Sequence, residues 1–519
     1  MAALAKEKTV AVAGAGTMGA GIAQVAAAAG HRVLLFDSQP GAVERGRMAV
    51  AEGLARLVER KRMAAEDVDI LMARIRSAGQ IAELAGAALV IEAIAEDMAA
   101  KKALFRALED VVAPDAILAS NTSSLSITEI AGALRHPERV AGLHFFNPAP
   151  IMPLVEVIAG FGTAASVMDT LMATASAWGK KPVRCASTPG FLGNRVARPF
   201  YGEALRALEE GVTDVPTYDA ILREAAGFRM GPFELLDLVG IDINWAVTHA
   251  VHDAYFHDPR FKPFRIQGEM IASGRLGRKS GRGFYDYRAG AEKPMPRTAP
   301  RAEPPANATI EGDLGPAAAL VPRLAKTGVL IRRIANSAAA TLDAREIAHL
   351  HGAILGPKFR LALSDGRTAT ERMASDDGLA LILFDLALDY AATPRLALAK
   401  ADQAAGDALA EACGLLQEAG IAVSVIDDAP GMAALRTVAM LANFSADAVH
   451  AGIADAAGVD LAMQVGFNYP RGPLAWAEQL GLVFVVRVLD NLARTYGEDR
   501  YRASPLLRRK AASGGSFHG

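Results

Sequence analysis

Short apolar runs alternate with segments of helical length along the N-terminal part of the chain. The run over 9–13 ends in glycines and leads through an Ala-rich stretch, which ends at Gly30, into a second run that closes at Asp37. Further apolar runs lie at 88–93, 116–120, 140–145 and 154–158. Alternating strands and helices of this kind predict an α/β fold, a doubly wound and largely parallel Rossmann-type sheet over residues 1–187.

The pattern changes after Pro189, where strand-like runs give way to helical periodicity. We therefore predict an all-α helical domain over residues 188–288. Residues 289–306 are rich in proline. Because proline cannot occupy a helix interior or a central strand, this stretch is expected to be an interdomain linker.

The second half of the chain repeats the helical part of the first. A shift of 241 positions pairs glycines, prolines and charged residues without a gap, as in Gly179/Gly420, Gly190/Gly431, Arg195/Arg436, Gly211/Gly452, Asp219/Asp460 and Gly240/Gly481. Glycine and proline fix backbone shape, so their common register predicts a duplicated all-α domain over residues 429–519. Residues 307–428 contain strand-like runs but no Gly-x-Gly-x-x-Gly. We interpret them as a second, degenerate Rossmann-like domain without a nucleotide site.

The first βαβ unit carries the sequence Gly14-Ala-Gly16-Thr17-Met18-Gly19, and Asp37 ends the next strand 18 positions later. In such a turn the first glycine permits a tight bend, the second lets the backbone approach a pyrophosphate, and the third allows close helix packing. The helix N-terminus favours the phosphates. Asp37 would accept hydrogen bonds from the ribose hydroxyls and repel a 2′-phosphate, which predicts NAD as cofactor. A simple turn residue is the alternative for Asp37.

Four further segments resemble the L-3-hydroxyacyl-CoA dehydrogenase family. They are Ser120-Asn121-Thr-Ser123-Ser124-Leu, Gly142-Leu-His144-Phe-Phe-Asn-Pro, Leu154-Val-Glu156-Val, and Thr188-Pro-Gly-Phe-Leu-Gly-Asn194-Arg195. The resemblance extends from about residue 9 to residue 287. The duplicated helical domain is similar to that of the longer bacterial members, including those of phenylacetate breakdown.

The resemblance implies NAD-dependent, reversible oxidation of an L-3-hydroxyacyl-CoA, with His144 as the base. Histidine titrates near neutral pH, and a carboxylate on its other nitrogen fixes the tautomer; Glu156 is the family's partner for it. Ser123 and Asn194 match the residues that hold the 3-hydroxyl or the thioester carbonyl. The alternatives are that His144 is a core histidine, that Glu156 is a strand-edge carboxylate, and that Ser123 and Asn194 are helix caps.

Several weaker assignments follow from the same resemblance. Glu96, Lys101 and Asn121 match positions around the cofactor, although a solvated helix pair explains Glu96 and Lys101 equally well. Arg56 and Lys61 are candidates for the phosphates of coenzyme A, with a solvated helix face as the alternative. In the second copy, Asn194 becomes Leu435 and Glu156 becomes Ala397. We therefore expect that copy to be catalytically silent and to pack on the first as an intrachain pseudo-dimer, with a homodimer as a further possibility.

The composition narrows the partners. The 519 residues include 55 Lys+Arg and 57 Asp+Glu, a net charge of −2, which gives no basic field for nucleic acid or an anionic membrane. Two cysteines and the lack of a long apolar run favour a soluble protein of the cytoplasm. His249, His252 and His257 lack a zinc-site pattern, so we expect no metal. The alternative functions are a dehydrogenase of a free hydroxy acid such as L-gulonate and a non-catalytic NAD-binding structural protein.

Overall fold

The computed structural model describes residues 2–335, 352–374 and 378–519. It packs as two compact units. Unit 1 comprises Met1–Arg195 together with Ala451–Phe467, and unit 2 comprises Val196–His450 together with Asn468–Gly519. Part of the predicted degenerate domain, 307–428, lies outside the described residues. Within the described ranges, none of the helices is long and apolar enough to cross a membrane.

Unit 1 is built on an eight-stranded sheet with the order β3-β2-β1-β4-β5-β6-β7-β8. Its strands are β1 (Thr9–Ala13), β2 (Val33–Phe36), β3 (Ile75–Ala78), β4 (Ala87–Glu92), β5 (Ile117–Ser120), β6 (Val140–Phe145), β7 (Leu154–Ala159) and β8 (Lys181–Ala186). All neighbours are parallel except β6 and β7. The predicted doubly wound fold is confirmed. The prediction omitted β3 and β8, whose exposed charged positions interrupt the apolar pattern.

Helices cover this sheet and bury their apolar faces on it. They are α1 (Thr17–Ala28), α2 (Ala42–Glu59), α3 (Ala65–Arg74), α4 (Met98–Val111), α5 (Ile127–Ala131), α6 (Ala165–Ala177) and the short α7 (Gly193–Val196). Ile22, Leu35, Ile91 and Val157 are fully buried in the core between helices and sheet. Burying a side chain of this size stabilises the fold by roughly 1.5–3 kcal/mol, so packing fixes the strand ends from which site residues project.

In the part of unit 2 that the structure describes, seven strands form a sheet with the order β10-β9-β11-β12-β13-β14-β15. The strands are β9 (Asn307–Glu311), β10 (Leu330–Ile334), β11 (Ala353–Leu355), β12 (Phe359–Leu363), β13 (Ala380–Phe384), β14 (Arg395–Lys400) and β15 (Ala422–Val425). The apolar runs predict the last three strands. The four before them were not predicted, because polar or charged residues interrupt the apolar pattern of β9, β10 and β12, and β11 is only three residues long.

Among the described residues, the remaining helices belong to unit 2, except α17. They are α8 (Arg198–Glu209), α9 (Val215–Ala220, continued by a π-turn over Ile221–Ala225), α10 (Pro232–Val239), α11 (Ile241–Ala254), α12 (Arg265–Ala272), α13 (Leu320–Leu324), α14 (Ala369–Met373), α15 (Gly406–Glu418), α16 (Ala434–His450), α17 (Ala456–Phe467), α18 (Pro473–Leu480), α19 (Leu482–Tyr496) and α20 (Pro505–Ser513). The Pro-rich segment forms no helix or strand, and Ala299 N–H donates to Val423 O at 2.7 Å.

The backbone repeats itself at the predicted spacing. Gly240 and Gly481 share φ values of 103° and 91°, and Gly211 and Gly452 share 76° and 66°. These conformations favour glycine, which explains why glycines carry the repeat in the sequence. The two helical copies contact each other within unit 2. Glu203 of α8 is fully buried, and its carboxylate forms an ion pair with the guanidinium of Arg500 at 2.8 Å.

Each helical copy also supplies one helix to the sheet of the other half. The π-turn after α9 packs on β14, and Leu388 N–H donates to Ala225 O at 2.8 Å. In the same way α17 packs on β7 and β8 of the first sheet. This exchange explains why residues 451–467 belong to unit 1 although the sequence places them in the last predicted domain.

Candidate active site

The glycine-rich turn joins β1 to α1 at the carboxyl edge of the first sheet. Gly14 has a φ of 110°, and a Cβ there would lie 2.4 Å from the carbonyl oxygen of Ala93. A Cβ on Gly19 would collide with the Gly14 carbonyl, whereas one on Gly16 would meet nothing within 4 Å. The first and third glycines are therefore required by packing, and the second leaves an open surface. Thr17 and Met18 begin α1, whose N-terminus has no side-chain cap, so the turn fits the pyrophosphate of a dinucleotide.

Asp37 closes this surface at the end of β2. Its carboxylate accepts Ala15 N–H at 2.7 Å and Gln39 N–H at 2.9 Å. The side chain is therefore fixed against the glycine turn rather than left free. Its position fits a carboxylate that accepts hydrogen bonds from ribose hydroxyls while repelling a 2′-phosphate.

Behind the turn lies a buried ion pair that the sequence analysis did not identify. Glu92, the last residue of β4, is fully buried. Its carboxylate accepts hydrogen bonds from Lys101 Nζ at 2.6 Å, Ser120 Oγ at 2.6 Å and Ile94 N–H at 2.7 Å. Lys101 is 1% exposed. The alternative of a solvated pair is thus wrong for Lys101. The available signal for Glu92 was its place at the carboxyl end of an apolar strand.

Glu96 organises the loop that follows β5. It accepts Thr122 Oγ1 at 2.5 Å, Ser124 Oγ at 2.9 Å and Ser123 N–H at 3.1 Å, and Lys101 Nζ lies 3.3 Å away. Burial alone would raise the pKa of Glu96, but the hydrogen bond from Thr122 and the charge of Lys101 hold that pKa below its ordinary value. The loop is therefore held by an ionised carboxylate.

Ser123 and Ser124 do not cap the next helix, α5, so the helix-cap alternative is wrong for these serines. Ser126 is the cap of α5, since its side chain accepts Glu129 N–H. Asn121 accepts Phe145 N–H at 2.8 Å and so ties this loop to the end of β6. The Ser123 loop is thereby placed beside the strand that carries His144.

His144 and Glu156 face each other across the antiparallel pair β6 and β7. Nδ1 of His144 lies 2.7 Å from Oε2 of Glu156, and both residues are buried, at 6% and 1% exposure. The other carboxylate oxygen accepts Gly193 N–H at 2.8 Å and Leu192 N–H at 3.2 Å. The carboxylate is thus held from two sides, and the imidazole presents Nε2 for proton exchange.

Asn194 follows directly on the peptide that Glu156 holds. It lies in α7, immediately before Arg195. A single carboxylate therefore orients the histidine and fixes the backbone that carries Asn194. The structure brings His144, Glu156 and Asn194 into one region of unit 1, with the Ser123 loop attached through Asn121.

The second sheet shows what has become of this site in the repeat. The shift of 241 places Asp385 at the position of His144, and β14 sets Ala397 opposite it, where β7 sets Glu156. Asp385 accepts N–H groups of Ala433, Ala434 and Leu435 at 2.7–3.0 Å. In the repeat the carboxylate belongs to Asp385, at the position of His144, and not to the position of Glu156. It still accepts N–H groups at the start of the following helix, but the repeat has no imidazole here.

Arg56 and Lys61 lie near the C-terminus of α2 and are exposed. Among the residues that the structure describes, neither forms an ion pair with a carboxylate. His252 and His257 stack at 4.9 Å between ring centroids and approach Asp253 at 3.7 and 3.5 Å. These groups lie in unit 2, and the sequence gives them no part in the chemistry of His144.

Comparison with known proteins extends this picture over the whole chain. The model of the 3-hydroxyacyl-CoA dehydrogenase NAD-binding domain matches residues 9–188, and that of its C-terminal domain matches twice, at 190–287 and 431–516. The reduced Rossmann-fold domain of 3-hydroxybutyryl-CoA dehydrogenase matches residues 361–430. The predicted duplication is thereby confirmed.

Individual relatives agree with these matches. The 3-hydroxyadipyl-CoA dehydrogenase of Escherichia coli K12 is 42% identical over 504 residues, 97% of each chain. The crystal structure of 3-hydroxybutyryl-CoA dehydrogenase from the same organism has a TM-score of 0.88 and 41% identity, covering 98% of this chain and 100% of that one. The mitochondrial hydroxyacyl-coenzyme A dehydrogenase of Sus scrofa is 39% identical over 54% of this chain and 91% of its own.

Proposed function

Because this chain belongs to the 3-hydroxyacyl-CoA dehydrogenase family, we propose that it oxidises an L-3-hydroxyacyl-CoA reversibly to the 3-oxoacyl-CoA with NAD. The observation that carries this proposal is the buried contact between His144 and Glu156 at 2.7 Å. It supplies a base of fixed tautomer in the unit that holds the dinucleotide turn.

The residues of unit 1 divide the reaction between them. His144 takes the hydroxyl proton on Nε2, and Glu156 keeps Nδ1 protonated and stabilises the resulting imidazolium. NAD supplies the hydride acceptor when bound. In the reverse direction the same nitrogen returns the proton to the alkoxide oxygen.

Ser123 and Asn194 are proposed to hold the substrate's oxygen atoms. Both can donate a hydrogen bond to the 3-hydroxyl or the thioester carbonyl. Their loops are fixed by ionised or buried carboxylates, Glu96 and Glu156. This rigidity supports a role in placing the substrate, because reacting groups must be held close to their productive geometry.

The experiment measures NADH formation with a panel of 3-hydroxyacyl-CoAs, including 3-hydroxybutyryl-CoA and 3-hydroxyadipyl-CoA, and with L-gulonate. We expect turnover with the thioesters. His144→Ala should abolish turnover while sparing NAD binding, measured by fluorescence of bound NADH. His136→Ala, an exposed histidine paired with Glu138, is the matched control and should keep wild-type turnover. Turnover of gulonate alone would contradict the proposal, as would NAD binding without turnover of any substrate.

We further propose that the thioester is a CoA ester held by Arg56 and Lys61. Charge reversal, Arg56→Glu with Lys61→Glu, should raise KM for the CoA ester about thirtyfold, because the two lost phosphate contacts cost on the order of 1 kcal/mol each. KM for the matching N-acetylcysteamine thioester, which lacks the phosphates, should not change. Arg32→Glu is the control for a general change in surface charge. Equal effects on both thioesters would contradict the assignment.

The acyl chain and the cellular setting belong to the same proposal. The relatives with full-length similarity are named for 3-hydroxyadipyl-CoA and 3-hydroxybutyryl-CoA. We propose a short acyl chain, used in phenylacetate breakdown or fatty-acid-type β-oxidation, and the chain-length panel decides between the two acids. Cys185 and Cys413 are free and buried, which supports the reducing cytoplasm.

We propose that the helical copies act as a pseudo-dimer within one chain. The division into domains at 1–187, 188–288, 289–306, 307–428 and 429–519 remains our proposal for the organisation. Arg436 and Arg500 of the second copy both approach Glu203 of the first, at 3.4 and 2.8 Å. Sedimentation should then give a monomer. A homodimer joined through the helical copies would contradict the replacement of a partner subunit.

A further inference from the structure

We propose that Phe467, a residue of the second helical copy, is a positioning residue for His144. This inference rests on the proposed function. It concerns the one helix, α17, that the second copy contributes to unit 1. The inactive half of the chain would then maintain the geometry of the active half.

The helix is closely attached to the strands that form the site. Ala186 N–H, at the end of β8, donates to Ile453 O at 2.9 Å. A Cβ on Gly466 would lie 2.3 Å from Leu154 Cδ2, and one on Gly458 would lie 3.0 Å from Val183 Cγ1. The two glycines allow the helix backbone to lie against β7 and β8, so the position of Phe467 at the end of the helix is set by packing.

Phe467 contacts the site from two directions. Its ring meets that of Phe146 edge to face, with 5.7 Å between centroids, and the Phe146 ring lies 4.6 Å from the imidazole of His144. On its other side, Phe467 Cε2 occupies the space that a Cβ on Gly193 would need, at 2.5 Å. One ring therefore supports both the side chain that packs on His144 and the peptide that Glu156 holds.

The repeat supplies an internal comparison. The shift of 241 pairs Phe467 with Ala226 and Phe146 with Ala387. The corresponding backbones still meet, since Leu388 N–H donates to Ala225 O. Where the sheet carries His144, the two paired positions are aromatic and their rings are in contact; where it carries Asp385, both positions are alanine. A purely structural helix–sheet contact would not need the rings to be lost together with the histidine.

Aromatic packing of this kind restricts an imidazole without changing its hydrogen bonds. Removing the Phe467 ring leaves Phe146 free to turn away and opens the buried His144 and Glu156 to water. We therefore expect Phe467→Ala to lower kcat by about tenfold to a hundredfold, because small displacements of a reacting group cost this much. KM for NAD should not change.

The test uses the full chain and two readouts. The first compares kcat for Phe467→Ala, Phe467→Leu and Phe467→Tyr, and the tyrosine variant, which keeps the ring, should restore most of the activity. The second measures ethoxycarbonylation of the His144 imidazole by diethylpyrocarbonate in the absence of substrate, which should become severalfold faster in Phe467→Ala. The exposed His136 serves as the internal reference. This readout does not depend on the substrate, so a wild-type chain inactive towards every thioester would refute the proposed function without deciding the role of Phe467.

Two variants on the same helix separate positioning from loosening of the helix. Val459 is fully buried, so Val459→Ala reduces packing, whereas Gln464→Ala removes only an exposed side chain. Both should keep kcat and the reactivity of His144 near the wild-type values. A wild-type kcat and a wild-type rate of His144 ethoxycarbonylation in a folded Phe467→Ala would overturn the proposal. The proposal would also be overturned if Val459→Ala lowered kcat as much as Phe467→Ala does while changing Tm by the same amount.

Discussion

Asp385 occupies in the second sheet the register position that His144 occupies in the first. Asp385 N–H donates to Ala397 O at 3.0 Å, and Ala397 stands where the first sheet has Glu156. In the first site a carboxylate on β7 holds the start of the following helix; in the second, the carboxylate beside β13 does so. The second site has therefore kept its structural bond and lost the base.

Asp385→Ala should consequently affect stability and not chemistry. It would leave the N–H groups of Ala433, Ala434 and Leu435 buried without their acceptor, and each such group costs about 1–3 kcal/mol. We expect the free energy of unfolding of unit 2 to fall by about 3 kcal/mol or more, measured by chemical denaturation, with kcat unchanged at low temperature. The exposed Asp402→Ala is the control. A loss of kcat without a loss of stability would assign chemistry to the second site.

The pair Lys101 and Glu92 makes a second prediction about stability. Removing one partner of a buried ion pair leaves an uncompensated charge and costs about 3–5 kcal/mol. Lys101→Met should therefore lower the free energy of unfolding by that amount. Lys102→Met is closely matched, since Lys102 is the next residue and forms a more exposed pair with Glu129; its cost should stay within about 1 kcal/mol. The double variant Glu92→Gln/Lys101→Met should recover much of the loss, and failure to recover would show that the charge of Glu92 is not the cause.

The sequence predicted the parts of the site in which local geometry and chemistry coincide. Gly14, Gly19 and Asp37 lie in one βαβ unit, and His144 and Glu156 lie on adjacent strands joined by a short connection. Glu92 was not predicted as a site residue, because a glutamate at the end of an apolar strand produces no periodic signal. Phe467 could not be found either, because its contact with Phe146 depends on the exchange of a helix between the two halves of the chain.

Asp37 is predicted to select NAD by its charge. Asp37→Asn keeps an oxygen that can accept Ala15 N–H but removes the repulsion of a 2′-phosphate. We expect KM for NAD to rise and KM for NADP to fall, so that the ratio of kcat/KM for the two cofactors changes by about tenfold or more, equivalent to about 1.4 kcal/mol. Glu44→Gln on the neighbouring helix α2 should leave the ratio unchanged. An unchanged ratio in Asp37→Asn would identify Asp37 as a turn residue only.

Asp219 gives the protein a dependence of stability on pH. Burial raises the pKa of Asp219 to about 7, although Phe233 N–H, Glu234 N–H and Tyr285 Oη–H donate to its carboxylate at 2.7–3.0 Å. Since the folded state binds this proton more tightly than the unfolded state, the group contributes stability at low pH. That contribution is lost as the pH rises through the folded pKa.

Between pH 5 and pH 8 the free energy of unfolding contributed by Asp219 should therefore fall by roughly 2–3 kcal/mol, from about 1.4 kcal/mol per pKa unit. Asp219→Asn cannot titrate, so the difference between wild type and variant should change by this amount across the range, measured by chemical denaturation at both pH values. Asp242 is the comparison, because the hydrogen bond that Lys279 donates to its carboxylate lowers the pKa of Asp242, which therefore stays ionised throughout this range. Asp242→Asn should accordingly show a difference from wild type that does not vary with pH. If Asp219→Asn behaved in the same way, the Asp219 carboxylate would already be ionised at pH 5 in the folded protein.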